Sequence, residues 1–474
     1  MANGFCVSRE ELKINYENAL NNVANMLDRN GPVYATWIEF QMGLDSSNSV
    51  TFNSASTDMR ENLIASLSVT KSGSGVANEF VLVVQYDPFN FGQNTDLRGN
   101  VEKLDSFIAE AMSEGFLSGT DQLRCKIQYG YNSFSSYLDD NLISPKYSLL
   151  LTGASSSVDC DSGLTTYTFT GMSELSVDCD FVTNFNGFEN KNMLEEIGKI
   201  LYTYYGDVSK KPSWITEDIQ PMSGTTSYYI DISESDIEQA VDISVDASTA
   251  VQSPWSFCQS ILEAHPLTKS EVDSNLYTDT GTDIISLNKR PRYSMYLTDV
   301  DGRETIHVVH INPSTITVNG KNDSADNLKI NYVFSWGLKN EDLANKNIVT
   351  GWRPEVNLYT YLIRSANNIR YKKLQNLADF NPQYEKTLQQ YSGYSSEVVE
   401  MYNAELELIG VPADPPFGAE VEVIPRILES FSRTSGVYII NGASDEINNN
   451  GVFKSKLKLV RKGSIDINKM ESVT

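Results

Sequence analysis

The chain has 474 residues, 40% hydrophobic and 21% charged, which is typical of a folded protein of about two to four domains. It carries 37 Lys and Arg against 62 Asp and Glu, a net charge of −25 that argues against nucleic-acid binding and against docking on an anionic membrane. The longest apolar runs are too short to cross a bilayer, and residues 1–15 lack the apolar core of a signal peptide, so we expect a cytosolic chain without a membrane anchor.

Cysteine and histidine are too sparse to indicate a reactive site. The five cysteines are scattered without Cys-x-x-Cys spacing, so neither a disulfide framework nor a structural zinc site is expected. The three histidines leave little material for histidine-based catalysis. Composition therefore favours a structural or binding protein over an enzyme, and we expect no cofactor, no metal and no catalytic residue.

Short β-branched and aromatic runs predict a β-rich first domain over residues 30–180, after an N-terminal helical arm over 1–29. A Ser-Gly-Ser-Gly turn at 72–75 predicts a hairpin over 63–86. One helix is expected over 101–112, and the other strands over 33–40, 123–131, 147–152 and 164–170. This set predicts a small closed or nearly closed barrel, because closure removes exposed strand edges.

The middle of the chain, residues 181–327, predicts a mixed α+β domain. Apolar residues at helical spacing over 193–204 predict one helix. Ser253 and Pro254 predict the N-cap and first turn of another, whose buried face holds Cys258 as a core residue rather than a nucleophile. Strands are expected over 293–298 and 305–311.

Strand signals return in the last third and predict a second β-rich domain over 328–463, with a helical insertion at about 366–400 and a tail over 464–474. The expected strands are 330–336, 404–409, 420–423, 436–440 and 453–460. The predicted fold class is therefore α+β and predominantly β.

Two Asp-Cys-Asp triplets, at 159–161 and 178–180, come nearest to a chemical motif. Paired carboxylates there would suit metal binding or glycosyl transfer, whereas loop carboxylates at strand ends are the commoner explanation. His307 and His310 lie three apart in a predicted strand, so they face opposite sides and cannot share one metal. A glycosidase pair of carboxylates leaves no sequence mark, and nothing singles one out.

The C-terminal strands carry the most informative pattern. An apolar strand ends in Gly-x-Pro at 410–412, Gly-x-x-Val-x-Val follows at 418–423, and Ser-Gly-x-Tyr-x-Ile stands at 435–440. The last motif is Gly-x-Phe-x-x-x-Leu-x-Leu at 451–459. In this strand three lysines alternate with Phe453, Leu457 and Leu459, and Ser455 interrupts the apolar side.

This order of motifs resembles the C-terminal barrel of phage baseplate hub proteins. These are the tail-tube-initiating proteins of contractile tails, related to the hub part of the type VI secretion spike. Further segments that resemble such hubs are 78–88 in the first barrel, 253–257 and 293–299 in the middle domain, and 332–336 with 347–349 at the entry to the second barrel. The elongated middle (205–330) and the helical insertion depart from the family pattern.

The resemblance implies two tube-like antiparallel β-barrels in each chain, separated in sequence by the mixed middle domain. It implies a homotrimer whose ring of six barrels adapts a threefold spike to the sixfold tail tube and nucleates tube assembly, without catalysis. The implied partners are the tail tube protein, the central spike protein and other baseplate proteins. The implied location is the virion tail, assembled in the host cytoplasm, around a lumen through which DNA passes without specific binding.

The charge distribution suits such a channel, because carboxylates repel phosphate at short range; simple solubility is the alternative. Residues 451–474 hold six Lys and Arg against two Asp and Glu, or +4, which leaves −29 on the rest. The subunit-interface candidates are Trp352, Arg353, Lys454, Lys456 and Lys458. The alternatives are burial of the tryptophan inside the barrel and a solvated face for the lysines.

Three other functions stay open. The first is a hub or spike subunit of a non-phage contractile injection system, with the same fold. The second is a tail-associated cell-wall hydrolase, whose active site would lie within residues 181–330. The third is a surface carbohydrate-binding β protein, which the 25 tyrosines favour.

Overall fold

The computed structural model describes most of the β-forming sequence. The described residues are 7–27, 33–42, 48–53, 63–73, 78–86, 95–111, 123–132, 138–222, 227–247, 251–265, 268–270, 292–300, 303–311, 332–335, 348–356, 402–427, 430–431, 434, 436–448 and 452–464. The helical insertion predicted at about 366–400 lies outside them, as does the tail beyond Ser464.

Strands dominate the described chain, as the composition predicts. The helices are α1 (Arg9–Leu27), α2 (Thr95–Ala111), α3 (Glu174–Asp178), α4 (Met193–Tyr205), α5 (Glu234–Gln239) and α6 (Pro254–Ala264). The strands are β1 (Val33–Met42), β2 (Ser49–Asn53), β3 (Ile64–Ser72), β4 (Glu79–Tyr86), β5 (Leu123–Asn132), β6 (Leu138–Ile143), β7 (Tyr147–Val158), β8 (Thr165–Ser173), β9 (Phe188–Asn192), β10 (Tyr229–Asp231), β11 (Asp242–Val245), β12 (Arg292–Val300), β13 (Arg303–Ile311), β14 (Tyr332–Ser335), β15 (Val349–Val356), β16 (Tyr402–Ile409), β17 (Glu420–Ile427), β18 (Ser430–Phe431), β19 (Gly436–Asn448) and β20 (Val452–Ser464).

The first β unit comprises β1 to β8 and α2. Its strands pair in the antiparallel order β3-β4-β8-β7-β5-β1-β2, with β6 on β5, and the hairpin predicted over 63–86 is confirmed by the β3–β4 pairing. The strand period of two buries Tyr167 and Phe169 on β8, and α2 adds Leu104 and Phe107 to the same core. The apolar face of α2 thus packs on the face of the sheet that carries the buried residues.

The second β unit comprises β14 to β20. Its strands pair in the order β15-β16-β20-β19, and β17 lies antiparallel along the other edge of β19. Gly418 adopts a φ of 80° in the turn before β17, a conformation that favours glycine, which explains why the motif has glycine there. The core is formed by residues such as Leu406, Val421 and Leu459.

Two long strands join these units. β19 and β20 have 13 residues each; the first part of β19 pairs with β17, and its residues 442–448 pair with β3. Ile447 and Phe453 therefore enter the core of the first unit, whereas Tyr438 belongs to that of the second. The described strands of the two units form one open 15-stranded sheet over two cores, not a closed barrel, so the predicted barrel count stays a prediction.

The middle region is mixed α+β. It contains the three-stranded sheet β10-β13-β12 and the pair β9-β11, with α4 and α6 contributing to one core. Cys258 is fully buried in that core, as predicted. The predicted N-cap is confirmed: the Ser256 backbone N–H donates to the Ser253 hydroxyl at 3.1 Å, and Pro254 occupies the first turn.

Helix α1 contacts both β units. Tyr16 and Leu20 lie in the core of the second unit, and Val23 lies in that of the first. Glu11 forms a 2.7 Å ion pair with Arg303 of β13, which attaches α1 to the middle region. In the part of the chain that the structure describes, no helix is long and apolar enough to cross a membrane.

Candidate functional site at the junction of the two β units

A buried charge cluster lies where the two β units meet. Lys71 comes from β3, Asp445 from β19, and Asp414 from the segment between β16 and β17. The Lys71 Nζ atom is 2.8 Å from Asp414 Oδ1 and 3.1 Å from Asp445 Oδ2. The three side chains are only 2%, 4% and 5% exposed. One ammonium and two carboxylates therefore hold the units together away from water.

Hydroxyl groups complete the cluster. Tyr147 donates to Asp414 Oδ1 at 2.6 Å, and Tyr129 donates to Asp445 Oδ2. The Ser455 hydroxyl donates to Asp445 Oδ1 and accepts the Val411 backbone N–H at 2.8 Å. Buried carboxylates need such partners, because an unpaired buried charge is costly. The tyrosines lie in the first unit and Ser455 lies on β20, so the network crosses the junction.

Strand alternation explains why polar residues face inward here. Lys71 follows Leu67 and Val69 on the buried side of β3, and Asp445 lies at an equally buried alternating position of β19. The sequence predicts the interruption of the apolar side at Ser455, but not the charged residue, Asp445, to which Ser455 donates. A charged residue at a strand position where the alternation calls for an apolar side chain is the sequence signal that indicates such a buried charge.

Electrostatics fix the protonation of this cluster. Burial alone would lower the pKa of the Lys71 ammonium, but the carboxylates of Asp414 and Asp445 outweigh burial and raise that pKa well above its usual value. Burial and the nearby carboxylates also raise the pKa of Tyr129 and Tyr147, which keeps both hydroxyls as donors. The stability contributed by Lys71 is present below the ordinary lysine pKa and is lost only as pH rises through the raised value.

Aromatic packing surrounds the charges. The Phe453 ring lies 5.6 Å from the Tyr129 ring and 5.3 Å from the Tyr131 ring, measured between centroids. The Tyr131 hydroxyl donates to the Gly410 carbonyl at 2.8 Å. A Cβ atom at Gly410 would lie 2.1 Å from Phe453, so the Gly of the Gly-x-Pro motif allows this close approach.

The middle region also contacts the junction, through strand β12. The Ser294 hydroxyl of β12 donates to the Gly73 carbonyl at the end of β3, at 2.6 Å. Tyr296 of the same strand packs edge-on against Phe417 at 5.3 Å between centroids. The junction therefore joins three parts of the chain, and its geometry sets how they are placed relative to one another.

The predicted interface residues lie on β15 and β20 of the second β unit. Trp352 is half-buried and packs edge-on against Tyr438 at 5.2 Å between centroids, whereas the Arg353 side chain is 71% exposed. Lys454 pairs with Glu407 at 2.6 Å and Lys456 pairs with Glu446 at 2.7 Å, both within the chain. Lys458 is exposed. Their role between subunits stays a prediction.

The Glu407–Lys454 pair predicts a pH-dependent stability. The hydrogen bond from Lys454 lowers the pKa of Glu407, so its contribution is present above the ordinary glutamate pKa and is lost as pH falls through the lowered value. Glu407→Gln is therefore expected to lower the urea midpoint at neutral pH, by the equivalent of about 0–1 kcal/mol, and to have no effect in strong acid. Glu405→Gln, on the same strand with a contact of 4.0 Å to Arg353, is the matched control. Equal losses at both pH values would contradict the prediction.

The two histidines of β13 do not converge. His307 is buried, with Nδ1 2.8 Å from Asp231 Oδ2 and Nε2 2.7 Å from the Thr298 hydroxyl oxygen. His310 instead packs against the Tyr293 ring at 4.6 Å between centroids. The predicted opposite orientation of these side chains is confirmed, and each serves local packing.

The Asp-Cys-Asp triplets also have local roles. Asp159 lies in the turn between β7 and β8, where the Ser162 hydroxyl donates to it at 2.6 Å. Asp178 ends the short helix α3, and burial raises its pKa. Among the described residues, no group of three or more His, Cys, Asp or Glu side chains is arranged to hold a metal ion.

No protein-family model matches the chain, and no curated protein sequence matches it. Several solved structures are similar to it, at low sequence identity. The tail protein of Neisseria meningitidis has a TM-score of 0.45 at 10% identity, covering 90% of this chain and 97% of its own. The 43 kDa tail protein of prophage MuSo2 from Shewanella oneidensis has a TM-score of 0.43 at 8% identity, covering 91% and 99%.

A third similar structure comes from a secretion system. It is an E. coli type VI secretion component described as structurally similar to the T4 bacteriophage tail proteins gp27 and gp5. Its TM-score is 0.39 at 7% identity, covering 85% of this chain and 75% of its own.

Proposed function

We propose that this chain is a structural baseplate hub of a phage tail. Three copies form a ring of six barrels that joins the threefold spike to the sixfold tail tube and nucleates tube assembly. The observation that carries the proposal is the pair of β units, each around its own core and joined strand to strand through β19 and β20. A rigid two-unit protomer is what a threefold ring needs in order to present sixfold symmetry.

The motif order in the sequence supports the same function. Its glycines lie at strand ends of the second unit: Gly410 follows β16, Gly418 precedes β17, and Gly436 begins β19, one of the two joining strands. The residues that carry the resemblance thus lie on the strands that form the second unit and on the turns between them. The domain limits given above, at 1–29, 30–180, 181–327, 328–463 and 464–474, are part of this proposal.

The net charge of −25 supports a DNA-conducting lumen. Carboxylates on the wall repel the phosphate backbone, so DNA passes without adhering. The partners in this proposal are the tail tube protein, the central spike protein and other baseplate proteins in the virion tail. The chain is expected to show no retention of duplex DNA even at low salt, where electrostatic binding is strongest.

The test is the mass of the full chain in solution together with low-resolution images, with and without tube and spike proteins. A ring of three subunits supports the hub. A monodisperse monomer that stays single in the presence of both partners contradicts it. A muralytic zymogram with a clearing band would instead favour the cell-wall hydrolase.

The predicted interface allows a matched pair of variants. Arg353→Glu reverses a side chain that is 71% exposed on the second β unit, and Arg98→Glu reverses an equally exposed one on α2. If Arg353 contacts a neighbouring subunit, Arg353→Glu weakens the ring and Arg98→Glu leaves it intact. If the two variants form the ring equally well, Arg353 does not lie in the interface. The mass of the unmodified protein in solution still tests the ring itself.

A further inference from the structure

The buried charge cluster places an amine against a carboxyl group in a geometry suited to covalent reaction. Lys71 Nζ lies 2.8 Å from Asp414 Oδ1, and both side chains are almost completely buried. A second carboxylate, that of Asp445, lies 3.1 Å from the same nitrogen. We infer that Lys71 and Asp414 condense to an intramolecular isopeptide bond, with Asp445 as the general base.

The reaction begins with a proton transfer inside the ion pair. The raised pKa of Lys71 makes the ammonium–carboxylate pair the resting state. Transfer of one proton across the 2.8 Å contact gives a neutral amine and a protonated Asp414, the pair from which attack occurs. Fixed groups at this separation react with effective molarities of about 10⁵–10⁸ M, which compensates for the small population of the neutral pair.

The surrounding groups match the remaining steps. Nζ of Lys71 attacks Cγ of Asp414, and the negative charge that develops on Oδ1 receives the hydrogen bond of Tyr147, which is already 2.6 Å away. Oδ2 of Asp414 leaves as water after it gains two protons. Asp445 takes one from the attacking nitrogen and passes it on, and the other is the proton that Oδ1 received in the first step and gives up as the carbonyl re-forms. One C–N bond forms, one C–O bond breaks, and Asp445 returns to its carboxylate form.

A separate observation supports Oδ2 of Asp414 as the leaving oxygen. Asp414 Oδ2 is buried and has no hydrogen-bond partner among the described residues, whereas Oδ1 is bound by both Lys71 and Tyr147. A buried oxygen without a partner destabilises the ion-paired state, and condensation removes it. Asp414 also precedes Pro415, whose nitrogen carries no hydrogen, so the backbone cannot compete for this carboxyl group.

The bond would connect the two β units covalently. Lys71 belongs to the strand that β19 pairs with, and Asp414 belongs to the turn segment that leads into β17. A cross-link between residues this far apart in sequence closes most of the chain into a loop and constrains its unfolded state. The denatured protein is therefore expected to migrate faster on a denaturing gel than a variant that lacks the bond.

The deciding measurement is the intact mass of the purified full chain. We expect a mass lower than that of its sequence by one water molecule, and a branched proteolytic peptide that joins Lys71 to Asp414. Wild-type protein at its full sequence mass overturns the inference. A linear peptide lacking one water, the product of succinimide formation at another aspartate, overturns it as well.

Variants assign the roles. Lys71→Arg keeps a positive charge without an amine nucleophile, and Asp445→Asn removes the base, so both are expected to retain their full sequence mass. Lys454→Arg is the matched control, because Lys454 lies 2.6 Å from Glu407 but is 40% exposed. It is expected to keep the deficit of one water. A deficit that persists in Lys71→Arg, or disappears in Lys454→Arg, would contradict the assignment.

Discussion

Replacing Lys71 with methionine is expected to lower the free energy of unfolding by at least about 3–5 kcal/mol, because the variant leaves two buried carboxylates without their cation and also lacks the inferred cross-link. Methionine fills most of the space, so the loss does not report a cavity. The variant leaves Asp414 and Asp445 buried at 4% and 5% exposure without their cation. Urea denaturation followed by far-UV circular dichroism measures the difference.

Two comparisons isolate this effect. Lys456→Met removes a lysine whose partner, Glu446, is 47% exposed, and is expected to cost about 0–1 kcal/mol. Adding Asp414→Asn and Asp445→Asn to Lys71→Met removes the unpaired charges, and is expected to recover part of the lost stability. Similar losses for Lys71→Met and Lys456→Met would show that the cluster does not hold the junction.

Replacing Phe453 with alanine is expected to lower the free energy of unfolding by about 3–5 kcal/mol, because it removes a buried ring and leaves a cavity. Phe453 is 5% exposed, and its ring packs against Tyr129 and Tyr131. The residue lies on β20 but its contacts lie in the first β unit. Urea unfolding is therefore expected to shift as one transition rather than two.

The matched control for Phe453 is a residue at a strand end with little contact. Val158 of β7 is 61% exposed, and Val158→Ala is expected to change stability by less than about 0.5 kcal/mol. Should Phe453→Ala unfold in two steps, with only the second unit affected, the shared core described here would be wrong. An equal, small shift for both variants would have the same meaning.

Local patterns predicted the elements well where burial alternates regularly. On β20, Lys454, Lys456 and Lys458 lie on the less buried side and Phe453, Leu457 and Leu459 on the buried side, as the period of two predicts. The N-cap at Ser253 could also be predicted from the sequence, because capping depends on residues within one helical turn. These features depend on neighbours in sequence, which is why the sequence was sufficient.

Features that depend on distant partners were not predicted. The third C-terminal strand was expected to end at 440, but β19 continues to Asn448. Residues 441–448 include Asn441, Gly442 and Asp445, which alone favour a turn; pairing with both β3 and β20 makes this segment a strand. The charge cluster was missed for the same reason, because periodicity cannot tell which inward lysine meets which inward aspartate.

The sharing of β19 and β20 determines when the first unit can finish folding on the ribosome. Its sheet lacks the neighbour of β3, and its core lacks Ile447 and Phe453, until β19 and β20 have been synthesised. A prematurely terminated product would keep β3 as a bare edge, open to degradation or aggregation. The first unit is thus finished only in polypeptides that extend through β20.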